Sequence, residues 1–412
     1  MTNQACAQDV TIGHRCATAV VTVVDQDGQP RAGLPVEVAQ TSHDFLFGNI
    51  LFDSVPLMLG ESEDEHRDRH ELDEWLNLFN FGTLPFYWRL FEPADGQPDT
   101  RRLRRAAEGF AELGIKLKGH PLTWHTLAPR WLMGRSLDDV ETALRARISR
   151  EVSTFAGVID TWDAINEAVI MPVFTAEPNA VTPLAFDRGR IAMVRLALDA
   201  ARAANPRVTL LVNDFDLTSA YECLIEGLLA AGLKIDALGL QTHMHQGYRG
   251  DEATTAMLDR FARFGLPLHL TETSLVSGAL MPSDIVDLND YQVDHWPSTS
   301  EGEARQAAQI AGYYTRLLAH PAVDAVTYWG LSDRTAWLGA PTGLLRADGS
   351  RKPAYDALEQ LIKGRWWLPP TQLVTNQDGQ LIVTGFKGTY RASAGRTKAA
   401  FRLEGRPTLC LP

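Results

Sequence analysis

Hydrophobic residues along this chain follow two regimes. Near both ends they alternate with polar residues. Valines from Ala19 to Val24 run into the turn Asp25-Gln26-Asp27-Gly28 and then into Leu34 to Val38, with the period of two that marks strands. Over about residues 366–409 the stretch "QLVTNQDGQLIVTGFKGTYRA" repeats the theme, with a turn at Asp378-Gly379. Neither piece holds a convincing helix, and each is too small to stand alone. Residues 1–42 and 365–412 are therefore expected to pack together as a small β-sandwich-like appendage.

Residues 43–364 follow the second regime, in which short apolar runs alternate with amphipathic stretches. The runs are Phe45–Phe52, Phe79–Phe86, Ile115–Trp124, Val158–Ile165, Val208–Val212, Ala237–Gln241, Leu266–Thr271 and Ala325–Trp329. Helical patterns lie between them, for example Arg101–Leu113, Leu137–Phe155, Asp187–Ala204 and Glu301–Ala319. Eight strand-then-helix units predict an α/β fold, a parallel (β/α)8 TIM barrel.

In such a barrel a site lies at the C-terminal ends of the strands. The third run ends with His120, Trp124 and His125, and the fourth with Asn166 and Glu167. The fifth ends with Asn213 and Asp214, the sixth with Gln241, His243 and His245, and the seventh with Glu272. After the eighth come Trp329, Asp333 and Trp337. A single carboxylate at a strand end reads equally well as a helix cap. Six consecutive ends rich in Glu, His, Asn, Gln and Trp do not. Two carboxyl groups with separated pKa values can serve as proton donor and nucleophile in glycoside cleavage. Tryptophans stack on sugar faces, and amides bond hydroxyls. Glu177, in the loop "VFTAEPNAVTP", reads as a solvated residue.

Composition narrows the partner. The 412 residues are 45% hydrophobic and 22% charged, which fits a globular protein with a sizeable core. The net charge of −12 argues against nucleic acid and anionic membranes and is compatible with a neutral carbohydrate. No apolar run is long enough for a transmembrane helix. The opening MTNQACAQDV lacks a basic segment followed by an apolar one, so the chain either stays inside the cell or has lost a signal peptide. Cys6, Cys16, Cys223 and Cys410 form no CxxC pair, which argues against structural zinc. Free thiols are the favoured reading, with Cys6–Cys16 or Cys16–Cys410 as bridges in an oxidising compartment.

At these residues the chain resembles glycoside hydrolase family 10, the family of many endo-β-1,4-xylanases, over roughly residues 45–363. "GHPLTWH", "WDAINE", "NDFD", "LGLQTHMH", "LTETS" and "YWGLSDRTAW" occur in the family's order, and "GLLRADGSRKPAYDAL" is similar to its closing segment. The resemblance implies a retaining β-glycoside hydrolase acting on xylan-like polysaccharide, with Glu167 as acid/base and Glu272 as nucleophile. It implies that Asn166 bonds a sugar 2-hydroxyl and that His243 and Gln241 orient Glu272. His120 and Trp124 line the same subsite, Trp329 and Trp337 form its roof and wall, and His125, Asn213, Asp214 and Asp333 support it. Carbohydrate is the implied partner, with no cofactor, no metal, a monomeric state and secretion.

One segment departs from the family. Its second strand normally ends in an acidic residue, an asparagine and, slightly later, a lysine, which hold the next sugar on the non-reducing side. Here "TLPFYWRLFEP" puts Thr83, Leu84, Pro85, Phe86 and Tyr87 in their place, with Arg89 as a candidate for the lysine. The cluster suits stacking, and Phe86 and Trp88 are taken as substrate contacts. Plain linear xylan is then expected to be a poorer substrate than for a typical member. Three alternatives stay open: the same mechanism on a small β-glycoside or saponin, a metal-dependent barrel hydrolase using His243 and His245 with Asp214, and a non-catalytic sugar-binding protein.

Overall fold

The architecture is that of a computed structural model, which describes Asn3, Cys6 and residues 9–411. The leader reading at residues 1–10 falls mostly outside them. Among the described residues there are fifteen strands. They are β1 (Cys16–Val24), β2 (Pro35–His43), β3 (Leu46–Ile50), β4 (Phe81–Pro85), β5 (Lys116–His120), β6 (Thr161–Asn166), β7 (Thr209–Asp214) and β8 (Ala237–Met244). The series continues with β9 (Leu268–Leu275), β10 (Val323–Tyr328), β11 (Thr371–Val374), β12 (Gln380–Phe386), β13 (Gly388–Ala394), β14 (Thr397–Arg402) and β15 (Thr408–Cys410). The chain divides into two compact units, residues 1–46, 303–321 and 351–412, and residues 47–302 and 322–350.

In the first unit the two ends of the chain form two sheets, one mixed and one antiparallel. One has the order β12-β1-β15 and the other β11-β2-β13-β14. Strand β1 runs antiparallel to β12, from Cys16 opposite Phe386 to Thr22 opposite Gln380. The alternation read from the sequence has its cause here. Ala19, Val21 and Val23 of β1 and Val36 and Val38 of β2 turn into one apolar core with Val383, Tyr390 and Phe401. The Asp25 carboxylate closes the first turn by accepting from the Asp27 and Gln29 amides. Asn376 does the same for Asp378 and Gln380. The favoured reading of four free thiols is corrected: Cys6 and Cys16 are joined in a disulfide, while Cys223 and Cys410 are free and exposed.

The second unit is the barrel. Its strands close in the order β10-β3-β4-β5-β6-β7-β8-β9, and each of the eight sequence runs supplies one of them. The helices follow the expected pattern, including Thr100–Glu112 and Leu137–Thr154. Ser136 caps the latter by accepting from the Asp139 amide, and Asp138 and Asp139 favour its positive N-terminus. The stretch expected as one helix over Asp187–Ala204 is two, Val181–Arg188 and Arg190–Ala204. Gly189 separates them at φ 82°, a conformation open to glycine. Among the described residues no helix is long and apolar enough to cross a membrane.

Candidate active site

Strands β6 to β9 end in side chains that reach one another across the barrel mouth. Asn213, from β7, stands at the centre. Its Nδ2 donates to Asn166 Oδ1 at 2.7 Å and to Glu272 Oε1 at 3.0 Å, while its Oδ1 accepts from Thr271 Oγ1. It fits there because β8 carries Gly239 opposite. A Cβ at Gly239 would lie 2.4 Å from Asn213 Oδ1. Asn166 Nδ2 in turn donates to Glu167 Oε1 at 3.2 Å. A chain of two amides therefore links the two glutamates.

Glu167 sits just beyond β6 at φ 58°, a left-handed conformation that costs a non-glycine residue about 1–3 kcal/mol. Its amide donates to the Asn213 carbonyl, and the Asp214 carboxylate accepts from Val169 two residues on. These bonds hold the strained turn. The Glu167 carboxyl accepts from the Trp124 indole at 2.8 Å and lies 3.7 Å from His125 Nε2. Gln241 Nε2 donates to Asn166 Oδ1 at 3.0 Å and to Glu167 Oε1 at 3.4 Å. Gln241 thus steadies Glu167, a correction to its expected place on Glu272. Glu272 is held instead by Asn213 and by His243 Nε2 at 3.2 Å. His243 Nδ1 meets Ser274 Oγ at 2.9 Å, and His120 Nε2 is 4.0 Å from Glu272 Oε1.

The two glutamates are driven apart in acidity. Burial pushes Glu167 up to about 8. The Trp124 hydrogen bond pulls the other way, and the nearby Glu272 and Asp214 raise it further. Burial would raise Glu272 as well. There the His243 hydrogen bond, with the influence of His120, His243 and Lys118, overcomes burial and holds it below the ordinary value. Burial also lifts Asp214 to about 7 and lowers His125 and His245 to about 3.

Two expected contacts are corrected. Phe86 is fully buried behind the barrel wall, against Phe91, Phe155 and Trp162. Trp88 is buried too, with its indole donating to Glu92. Tyr87, the residue between them, turns into the mouth instead. Its ring stands edge-on to Phe52 and His120 and tilted to Trp124, with centroids 5.8, 5.7 and 5.7 Å away. Arg89 is spent on Glu177 and the Ala128 carbonyl. Glu177 is accordingly not a solvated loop residue. It pairs with Arg89 at 2.9 Å and accepts from the Leu127 amide.

Trp329 packs edge-on to His120 and Phe52, and Trp337 covers His243 and His245. Asp333 lies farther out and braces the following loop by accepting from the Gly343 amide. The sequence reading missed Lys118 and Asp163, which are buried below this layer. Asp163 Oδ2 accepts from Lys118 Nζ and from His120 Nδ1, both at 2.7 Å. Their signal was a charged residue inside each of two apolar strand runs. His243 commits both ring nitrogens to Glu272 and Ser274. Among the described residues no group of three or more His, Cys, Asp or Glu is placed to hold a metal ion.

The chain is similar to known proteins to different extents. The anti-sigma-I factor RsgI6 of Acetivibrio thermocellus is 24% identical over 383 residues, which are 90% of this chain and 44% of that protein. Endo-1,4-beta-xylanase B of Neocallimastix patriciarum is 25% identical over 261 residues, 61% of this chain and 28% of that one. The chain therefore spans less than half the length of either. The crystal structure of xylanase 10B from Thermotoga petrophila in complex with xylobiose superposes with a TM-score of 0.64 at 21% identity, covering 78% of this chain and 94% of that one. That likeness carries the barrel fold. The model of glycosyl hydrolase family 10 matches residues 86–361, about two thirds of the sequence and most of the strand ends described above. With the family's motifs falling on one connected set of side chains, the chain belongs to glycosyl hydrolase family 10.

Proposed function

We propose that the protein hydrolyses β-linkages of a xylan-like polysaccharide with retention of configuration, Glu167 acting as acid/base and Glu272 as nucleophile. The opposite displacement of the two carboxyl pKa values carries this reading. A group raised to about 8 holds its proton at neutral pH and can deliver it to the leaving oxygen. A group held below its ordinary value is ionised and free to attack.

In the first step Glu272 bonds to the anomeric carbon, the glycosidic C–O bond breaks, and the Glu167 proton passes to the leaving oxygen. In the second, Glu167, now a carboxylate, takes a proton from water. The water oxygen displaces Glu272, which restores both carboxyl groups and leaves the sugar in its original configuration. The hydrogen bond from Asn166 to Glu167 supports a role for Asn166 in binding the 2-hydroxyl. Trp329 and Trp337 supply stacking surfaces.

The test separates the two roles. Glu272→Ala should lose several orders of magnitude on every substrate, because no glycosyl-enzyme forms. Glu167→Ala should still be glycosylated rapidly by a dinitrophenyl glycoside and then stall. Azide, which needs no base, should restore its turnover and give a β-glycosyl azide. A β-azide from Glu272→Ala, with Glu167→Ala giving the α-azide or staying inert on every substrate, would reverse the assignment.

A further inference from the structure

The barrel mouth is divided by chemistry. Strands β6 to β9 contribute carboxylates and amides. On the opposite side, β10, β3, β4 and β5 are followed by Trp329, Phe52, Tyr87 and Trp124. Around this arc the ring centroids are 5.7 Å apart from Trp329 to Phe52, 5.8 Å from Phe52 to Tyr87 and 5.7 Å from Tyr87 to Trp124. Those are distances between rings in direct contact. A sugar seated between two rings would hold them at least about 7 Å apart, one van der Waals contact on each side. The arc also closes tightly behind His120, whose ring is 5.7 Å from Tyr87 and 5.3 Å from Trp329.

Polar groups beyond the arc are already engaged. Asp53 accepts from Thr335, Arg334 pairs with Glu71, and Arg89 pairs with Glu177. Thr83, at the end of β4, is fully buried. A second sugar on this side would find no gap between neighbouring rings, and the polar groups named above are already paired. We infer that Phe52 and Tyr87, joined to Trp124 and Trp329, end the glycone side of the cleft after one sugar. The enzyme then removes single residues from the non-reducing end of its substrate, consuming one water for each glycosidic bond. This rests on the proposed function above and specifies its substrate as a chain end.

The test uses the whole protein and the nitrophenyl β-glycosides of xylose, xylobiose and xylotriose, together with xylohexaose carrying a label at its reducing end. The first product from xylohexaose should be xylose with labelled xylopentaose. Lengthening the glycone from one xylose to two should raise kcat/KM by less than about threefold, because remote binding energy is not available to be used. In Phe52→Ala/Tyr87→Ala the xylobioside-to-xyloside ratio should rise by roughly tenfold or more, as the closed side becomes a groove. The readout is a ratio within one protein, so a general loss of activity does not mimic it. If the double variant fails to fold, the wild-type product pattern decides alone. Xylobiose as the first product, or a tenfold gain from the second sugar in the wild type, overturns the inference while leaving the hydrolase reading intact. No turnover of any of these compounds beyond that of Glu272→Ala overturns both.

Discussion

Glu167→Gln offers a test of the active-site electrostatics that needs no substrate. The Glu167 side chain is 14% exposed, and its folded-state pKa is raised from an ordinary 4.5 to about 8, chiefly by burial. Below about pH 4.5 the group is protonated in the folded and unfolded chain alike. Between 4.5 and about 8 the unfolded chain ionises while the folded one keeps its proton, so stability falls as pH rises. Above about 8 both are ionised and the loss is complete. At about 1.4 kcal/mol per pH unit, the ceiling on this loss is on the order of 5 kcal/mol. Glutamine does not titrate. It does meet donors on both sides, from Trp124 on one oxygen and from Asn166 and Gln241 on the other, which adds a fixed cost at all pH values. The diagnostic quantity is therefore the slope. Urea unfolding at pH 5, 6, 7, 8 and 9 should show the variant-minus-wild-type difference climbing up to about pH 8 and then levelling. Asp214, raised to about 7, titrates in both proteins and largely cancels. A difference that stays flat, or falls with pH, would refute the buried, protonated Glu167.

Two further outcomes follow from the same geometry. Trp124→Phe removes a hydrogen bond that favours the ionised Glu167, so the alkaline limb of kcat/KM should move up by as much as about one unit; an unmoved or lowered limb counts against that bond. Asp163→Ala leaves Lys118 buried without its partner and should cost about 3–5 kcal/mol in chemical unfolding, against a negligible loss if the pair is dispensable.

The barrel was legible because its signal is periodic. Eight apolar runs each gave a strand, and their ends carry the glutamates, amides and histidines expected of them. What the sequence concealed was direction. Phe86, Tyr87 and Trp88 read as one aromatic cluster, but Phe86 and Tyr87, just past β4, face different ways and Trp88 opens the helix Trp88–Phe91. Only Tyr87 could enter the mouth once Phe86 had packed on Trp162. Gln241 was expected on Glu272, while its side chain crosses to Asn166 and Glu167 on β6. Lys118 and Asp163 were passed over as part of apolar runs, though a charge inside such a run needs a buried partner. The cysteines could not be paired from spacing, since the contact between Cys6 and Cys16 is a property of the folded chain.

The order of the amides follows from one carboxylate. The Glu272 carboxylate only accepts, so the end of Asn213 that meets it is Nδ2, and Oδ1 is left to accept from Thr271 Oγ1. Asn213 Nδ2 must then face the mouth, where it donates both to Glu272 and to Asn166 Oδ1. With its oxygen taken by Asn213 and Gln241, Asn166 has only its Nδ2 to turn toward Glu167. Each amide orientation follows from the group before it, from Glu272 on β9 to Asn213 on β7 and Asn166 on β6. Donors are thereby presented to both glutamates, so donor count alone does not separate their acidities. The difference comes from what else each carboxyl meets: burial, with the Glu272 and Asp214 carboxyl groups nearby, for Glu167, and the His243 imidazole with His120 and Lys118 nearby for Glu272. The proposed division of labour is thus carried by residues around the amide chain, and the chain itself holds the two carboxyl groups in register across the mouth.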